Sequence, residues 1–423
     1  MALWGTKDTV YSTGNVNVNV TTGVVTKQSG SIAWTSGNGV KVGQVITIDG
    51  SSEGIIESID SATQLTIGTE YLPSANISNK GYEIREIPKS TLHDTKFAVG
   101  EIFGVDTTEI GVANAATGNQ GLIDAERMCE LTAQGLGCES NEVLVCSTGW
   151  IGYPLPMEAV TYGIKNAIDS LDSTQGTTAA KAIMTTDTVP KNTFVESKGF
   201  SVGGISKGAA MLQPNMATML SVLTTDAVID PKEATRLLQK AVAVSFNCLT
   251  VDGAESTNDT VILLANGKSG VEDPNLLGES LIEACKDLAV QMADDAEGST
   301  KTVFLRVTGA KDDNEAELAA RSTANSQLIK CSWYGEDPYW GRIAAQIGAS
   351  GIQFDPETIS VSYGGQTVYA QGKAQKVDSN ILGKHMSQRR LELHVDLGQG
   401  QGESDVVTTD LTHAYIDENM RTS

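Results

Sequence analysis

The densest run of groups able to do covalent chemistry is Gly203-Gly-Ile-Ser206-Lys207-Gly-Ala-Ala-Met-Leu-Gln-Pro214-Asn-Met-Ala217-Thr218. A threonine hydroxyl is a poor nucleophile at its own pKa and needs an adjacent base. Cutting the bond between Ala217 and Thr218 makes Thr218 N-terminal. Its α-amino group, with a reference pKa of about 8, is then a base tied to the nucleophile. Attack of the Thr218 hydroxyl on the Ala217 carbonyl makes that cut, provided donors hold the oxyanion. Taken alone, a Thr after an Ala is equally an ordinary helix or strand residue. The run also contains Gly204-Ile-Ser206-Lys-Gly208, which satisfies the G-x-S-x-G elbow of serine hydrolases. An elbow follows a hydrophobic strand and opens a helix. The flanking Gly203-Gly204 and Gly208-Ala-Ala predict a loop here, and Pro214 prevents a long helix, so the elbow is disfavoured.

Metal and disulfide chemistry have little to work with. The six cysteines (129, 138, 146, 248, 285, 331) form no CxxC pair, and most stand in apolar runs. They are expected to be small buried hydrophobes. The histidines, His93, His385, His394 and His413, show no HxH or HxxxH spacing. Thirty basic against 52 acidic residues leave a net charge of −22, which argues against nucleic acid and anionic membranes as partners. No apolar run reaches the roughly 18 residues of a spanning helix, and Met1-Ala-Leu-Trp-Gly-Thr-Lys-Asp8 has no export signal. The expected compartment is the cytoplasm.

The elements that must position this chemistry change character near residue 100. Residues 1–80 carry only ten charged side chains and short alternating runs such as Val16-Asn-Val-Asn-Val20 and Gln64-Leu-Thr-Ile67, bounded by Gly, Ser or Asn. That predicts a small antiparallel β module over 1–95. From about residue 120 helix and strand alternate. Helices are expected at 122–136, after Asp230-Pro231, at 274–294 and at 312–328. Strands are expected at Val143–Ser147, 261–265, 302–307, 358–369 and 391–397. The fold class is α/β (α+β), layered, with no GxGxxG or Walker loop for a nucleotide.

The run from Lys207 through Ala217-Thr218 to Leu220 resembles the ornithine acetyltransferase (glutamate N-acetyltransferase) family of arginine biosynthesis. So do Asn114-Ala-Ala-Thr-Gly-Asn-Gln-Gly-Leu122, Ser147-Thr-Gly-Trp-Ile-Gly152, Ile183-Met-Thr-Thr-Asp-Thr188 and Thr224-Thr-Asp-Ala227. Further on, Thr250-Val-Asp-Gly-Ala-Glu-Ser-Thr-Asn-Asp259, Glu297-Gly-Ser-Thr-Lys301 and Asp337-Pro-Tyr-Trp-Gly-Arg342 complete the family's order. The resemblance covers residues 112–423. It implies self-cleavage into chains 1–217 and 218–423 in an α2β2 heterotetramer, and acetyl transfer from N-acetylornithine to glutamate through Thr218. It implies Thr148 and Gly149 as oxyanion hole, and a substrate site of Thr188, Lys207, Thr218, Glu297, Asn419 and Ser423. Lys207 would face a carboxylate and Glu297 an amine. No cofactor is implied, with acetyl-CoA open as an alternative acetyl donor.

Two features depart from the family. The tail Asn419-Met-Arg-Thr-Ser423 is one residue shorter than the family's Asn-to-Thr/Ser spacing. Residues 1–110 have no family counterpart and resemble structural proteins of tailed cyanobacterial phages. The alternative reading is therefore a structural or virion-associated protein carrying an incomplete, inactive acetyltransferase domain.

Overall fold

The computed structural model describes residues 9–11, 14–29, 33–35, 40, 44–49, 52–68, 75–85, 111–213 and 219–420. The chain divides into two compact units, Met1–Thr91 and Leu92–Ser423.

In the first unit the alternation seen in sequence becomes strand pleat. Asn15–Asn19 sends Val16 and Val18 inward and its asparagines outward. The strands are β1 (Thr9–Tyr11), β2 (Asn15–Asn19), β3 (Val24–Lys27), β4 (Val45–Ile48), β5 (Ser52–Ser61), β6 (Gln64–Ile67) and β7 (Ile77–Arg85). They pair in the order β1-β7-β2-β3-β6-β5-β4, and β4 also pairs β7, which closes the ladder on itself. Closure removes the open edges a flat sheet would expose. Inside lie Val16, Val25, Ile46, Ile56, Leu65, Ile84 and Trp34, whose indole N–H donates to Tyr82 Oη at 3.0 Å.

The second unit holds two sheets, each with helices packed on it. Its first described helices are α1 (Gly118–Leu136), α2 (Met157–Asp169) and α3 (Gly176–Ala182). Strands β8 (Lys191–Glu196), β9 (Ser201–Lys207), β10 (Leu220–Thr225) and β11 (Thr260–Ala265) form one sheet in the order β11-β10-β9-β8. Helices α4 (Pro231–Ala243) and α5 (Pro274–Asp294) share its core, with Leu223, Leu237, Leu281 and Leu288 fully or nearly buried. Both helices start as the sequence predicts, on Asp230-Pro231 and Asp273-Pro274, with each aspartate accepting a backbone N–H of the first turn.

The other sheet contains β12 (Thr302–Ala310), then β13 (Ser360–Tyr363), β14 (Gln366–Ala370), β15 (Lys373–Ala374), β16 (Arg390–Asp396) and β17 (Gly402–Thr409). Its order is β15-β14-β13-β16-β12-β17. Its core is shared with α6 (Asp313–Ala324), α7 (Gln327–Tyr334), α8 (Trp340–Ala349) and α9 (Ser379–Met386). A last helix, α10, spans His413–Asn419. The layered α/β (α+β) reading holds.

Three local expectations fail: the strand at Val143–Ser147, the unbroken helix over 312–328 and the general burial of the cysteines. Val143–Ser147 joins no strand; Leu144 is 62% exposed, while Val145, Cys146 and Ser147 line a cavity. The helix expected over 312–328 breaks into α6 and α7, because the Asn325 side chain turns to Gln213 and Thr250. The helix expected at 122–136 is present as α1; its Leu122 is 66% exposed, and it packs closely at Gly135, where a Cβ would lie 2.3 Å from Ile168 of α2. Of the cysteines only Cys285 is buried, while Cys138 and Cys331 are exposed.

Each unit carries its own core, with none of the buried residues of the first cluster shared with the others. Residues 1–91 expressed alone are therefore expected to unfold as one cooperative transition by circular dichroism. A featureless, non-cooperative melt would contradict this.

Candidate functional site

Lys191 opens β8 with its side chain fully buried between two carboxylates. Its ammonium lies 2.6 Å from Asp187 Oδ1 and 2.5 Å from Asp295 Oδ2. A charge this far from water survives only when paired and hydrogen-bonded, and both carboxylates put their remaining capacity into backbone. Asp187 accepts the Gly208 N–H at 2.7 Å and the Thr185 N–H at 3.1 Å. Asp295, just past the end of α5, accepts the N–H and hydroxyl of Thr188 and the Val189 N–H. Burial pushes the Asp187 carboxyl up, but Lys207, Lys191 and these donors outweigh it and hold it below the usual carboxylate range.

Lys207 ends β9, buried one residue from Gly208, and donates to Thr148 Oγ1 at 3.4 Å. Burial lowers its pKa, against the pull of Asp187, Glu297 and Asp259, with Lys191 adding repulsion. Thr148-Gly149 is fixed by the neighbouring chain: Trp150 N–H donates to the Gly111 carbonyl at 2.9 Å, and Ala113 N–H to the Trp150 carbonyl at 2.8 Å. Gly149 has φ +126°, and a Cβ there would fall 2.1 Å from the Gly111 oxygen. Only glycine meets both demands.

Antiparallel pairing of β9 with β10 sets Lys207 opposite Leu220. Met219 is pinned from both sides, its N–H donating to Asp259 Oδ1 at 2.6 Å and its carbonyl accepting the Thr260 N–H at 3.0 Å. Glu297 donates its N–H to the Ala209 carbonyl, and its Oε2 accepts from Asn419 Nδ2 at 2.8 Å. Beside these groups a cavity of about 270 Å³ is lined by Asn114, Met128, Val145, Ser147, Asn258 and Asp259 among others. A buried cation, the Thr148-Gly149 corner and a carboxylate around one strand end are chemically suited to a ligand carrying both carboxylate and amine.

Of the residues singled out from sequence, Thr148, Gly149, Thr188, Lys207, Glu297 and Asn419 are linked through these contacts. Ala217, Thr218 and Ser423 lie outside the described residues. The structure overturns the loop expected around Gly204–Gly208: Ser206 is a buried interior residue of β9, its hydroxyl against Met292 Sδ at 3.2 Å, with no elbow to expose it. Sequence reasoning missed Lys191, Asp295 and Asp259 as members of the site. Asp187 and Asp259 stand inside recognised motifs, but nothing in their spacing marks Asp187 as buried or Asp259 as half-buried with one oxygen shut from solvent.

Comparison with known proteins bears on the same region. The model of the ArgJ family matches residues 107–422. A relative from Mycolicibacterium paratuberculosis, named arginine biosynthesis bifunctional protein ArgJ, is 44% identical over 322 residues, spanning 73% of this chain and 78% of its own. One of the same name from Thermobifida fusca is 42% identical over 310 residues, spanning 73% and 80%. The crystal structure of the protein of that name from Bacillus halodurans aligns at TM-score 0.45 and 34% identity, covering 47% of this chain and 96% of its own.

Asp187→Asn leaves Lys191 and Lys207 short of a buried countercharge and is expected to cost about 3–5 kcal/mol near neutral pH. A carboxylate with a lowered pKa stabilises the fold above its unfolded value, and that contribution is lost on acidification. The variant should therefore lose less melting temperature than the wild type between about pH 5 and pH 2. Parallel curves in calorimetry would contradict the assignment.

Proposed function

Because the chain belongs to the ArgJ family over residues 107–422, and is thereby an acyltransferase of arginine biosynthesis, we propose that it carries acetyl from N-acetylornithine to glutamate through the hydroxyl of Thr218. In this reading the chain first cuts itself between Ala217 and Thr218. The observation that carries it is the β9–β10 register, which sets Lys207 opposite Leu220, two residues after Thr218. The chain thus leaves β9 after Lys207 and re-enters the sheet at Leu220 at the same strand end, where Thr148-Gly149, Lys207 and Glu297 gather.

The chemistry follows from those groups. The Thr218 α-amine takes the hydroxyl proton as Oγ attacks the donor's acetyl carbonyl. The Gly149 N–H and Thr148 hydroxyl stabilise the developing oxyanion, with a good donor in such a hole worth about 3 kcal/mol. Collapse expels ornithine, whose amine recovers the proton, and glutamate attacks the acetyl-Thr218 ester in the reverse sense. Lys207 holds the α-carboxylate common to both substrates. Glu297, oriented by Asn419, faces the amine of ornithine, and Thr188 and Ser423 complete the pocket. No cofactor takes part, and acetyl-CoA serves as a second donor in keeping with the relatives' designation as bifunctional. The cleaved chains assemble as α2β2 in the cytoplasm.

Purified protein should run as two chains of 217 and 206 residues, since 423 − 217 = 206, while Thr218→Ala stays whole. Mass spectrometry finding Ser201 or Ser206 at the new N-terminus would reject the nucleophile. In steady-state assays Lys207→Glu should raise both Michaelis constants at least about tenfold by setting an anion against the substrate carboxylate. Glu297→Gln should spare cleavage, which needs no bound amino acid, and weaken ornithine binding. Unchanged constants in both variants would reject the clamp.

A further inference from the structure

Asp259 immediately precedes β11, the neighbour of β10. While its Oδ1 takes the Met219 N–H, its Oδ2 is buried and has no hydrogen-bond partner among the described residues. A carboxylate oxygen shut away from water without a donor is unfavourable and calls for one. Burial, with a smaller push from Glu255, outweighs the Met219 N–H and Lys207, which draw it down, and raises the Asp259 carboxyl to about 6. The surroundings described thus supply less positive charge than this carboxylate can use.

The missing donor is close along the chain. Three covalent bonds join the nitrogens of residues 218 and 219, so they stand no more than about 3.7 Å apart in any conformation. Before cleavage the nitrogen of Thr218 belongs to a neutral amide. Afterwards it is an amine able to carry a proton and a full charge. We propose that Asp259 Oδ2 accepts the α-ammonium group of Thr218 in the cleaved enzyme, making Asp259 the positioning residue of the amine that serves as base. The inference rests on the reading of Thr218 as a nucleophile released by cleavage.

In each half-reaction the α-amine gains the Oγ proton as the O–C bond forms, and returns it to the leaving amine as the C–N bond breaks. Asp259 exchanges no proton in this cycle. Its charge favours the ammonium form while the tetrahedral adduct exists, and its fixed second oxygen, tied to Met219, sets the direction of the N–H bonds. Lys207 opposes that charge from β9 and Glu255 reinforces it from the loop. The balance sets the pH at which the base is free.

The test compares wild type with Asp259→Asn, whose amide oxygen still accepts the Met219 N–H, and with Asp259→Glu. Mass spectrometry first establishes the cut before Thr218. The pH dependence of kcat/KM and the rate at which acetic anhydride labels the Thr218 α-amine are then measured. In Asp259→Asn, kcat/KM should fall at least about tenfold and its acid limb should move down by about one pH unit. Labelling at neutral pH should be faster, because less of the amine is protonated, and Asp259→Glu should recover part of the rate. In the wild type, labelling should titrate above the reference value of about 8, a readout that stands even if a variant fails to fold or cleave. An unmoved acid limb and unchanged labelling in a cleaved Asp259→Asn, or a wild-type value at or below that reference, overturn the proposal while leaving Thr218 as nucleophile. A wild-type chain that never cleaves overturns both.

Discussion

The buried ion cluster Asp187–Lys191–Asp295 is the constraint on which the site depends. One ammonium with no exposure bonds both carboxylates, buried Lys207 supplies a second positive charge beside Asp187, and the further acceptor contacts of the carboxylates go to backbone N–H groups or a hydroxyl of a site segment. Through Asp295 the end of α5 is tied to Thr188, and through Asp187 the end of β9 is tied at Gly208, next to Lys207. Such clusters add little net stability, because desolvation consumes most of the attraction. Their value is geometric: removing any member leaves a buried charge unmatched, so the three segments share one arrangement.

The rest of the site uses backbone where the cluster uses charge. Thr148-Gly149 is held by a parallel bridge between Val112 and Trp150, and the close approach of Gly111 leaves no room for a side chain at Gly149. Glu297 is set by a main-chain bond to Ala209, so the carboxylate, Lys207 and the Thr148-Gly149 corner all refer to the same strand end. A net charge of −22 would repel glutamate at long range. At physiological ionic strength that field is screened beyond about 8 Å, and a buried charge such as that of Lys207 is screened much less.

Much of this was legible in sequence, for identifiable reasons. The alternating valines of β2, the Asp-Pro starts of α4 and α5 and the apolar spacing of α5 are local signals. The motif resemblance singled out Thr148, Gly149, Thr188, Lys207, Glu297 and Asn419, which the structure links through contacts, without any geometry. What stayed hidden depends on partners far along the chain. Asp295 is 104 residues from the ammonium it binds, and Asn325, 112 residues from Gln213, ends a helix for the sake of that contact. Val143–Ser147 has strand composition, but its last three residues line a cavity while Leu144 is exposed, and apolar composition alone does not say which surface it will cover. Ser206 shows the converse error, since glycines that suggest a loop lie within a buried strand.

That Thr218 carries the acetyl group is tested most directly by the intact mass of the fragment beginning at Thr218 after mixing enzyme with N-acetylornithine alone. The expected result is the addition of one acetyl group, mapped to Thr218 by fragmentation and discharged within one turnover when glutamate is added. Turnover with no acetyl on that fragment, or with the acetyl on another residue, would contradict the mechanism.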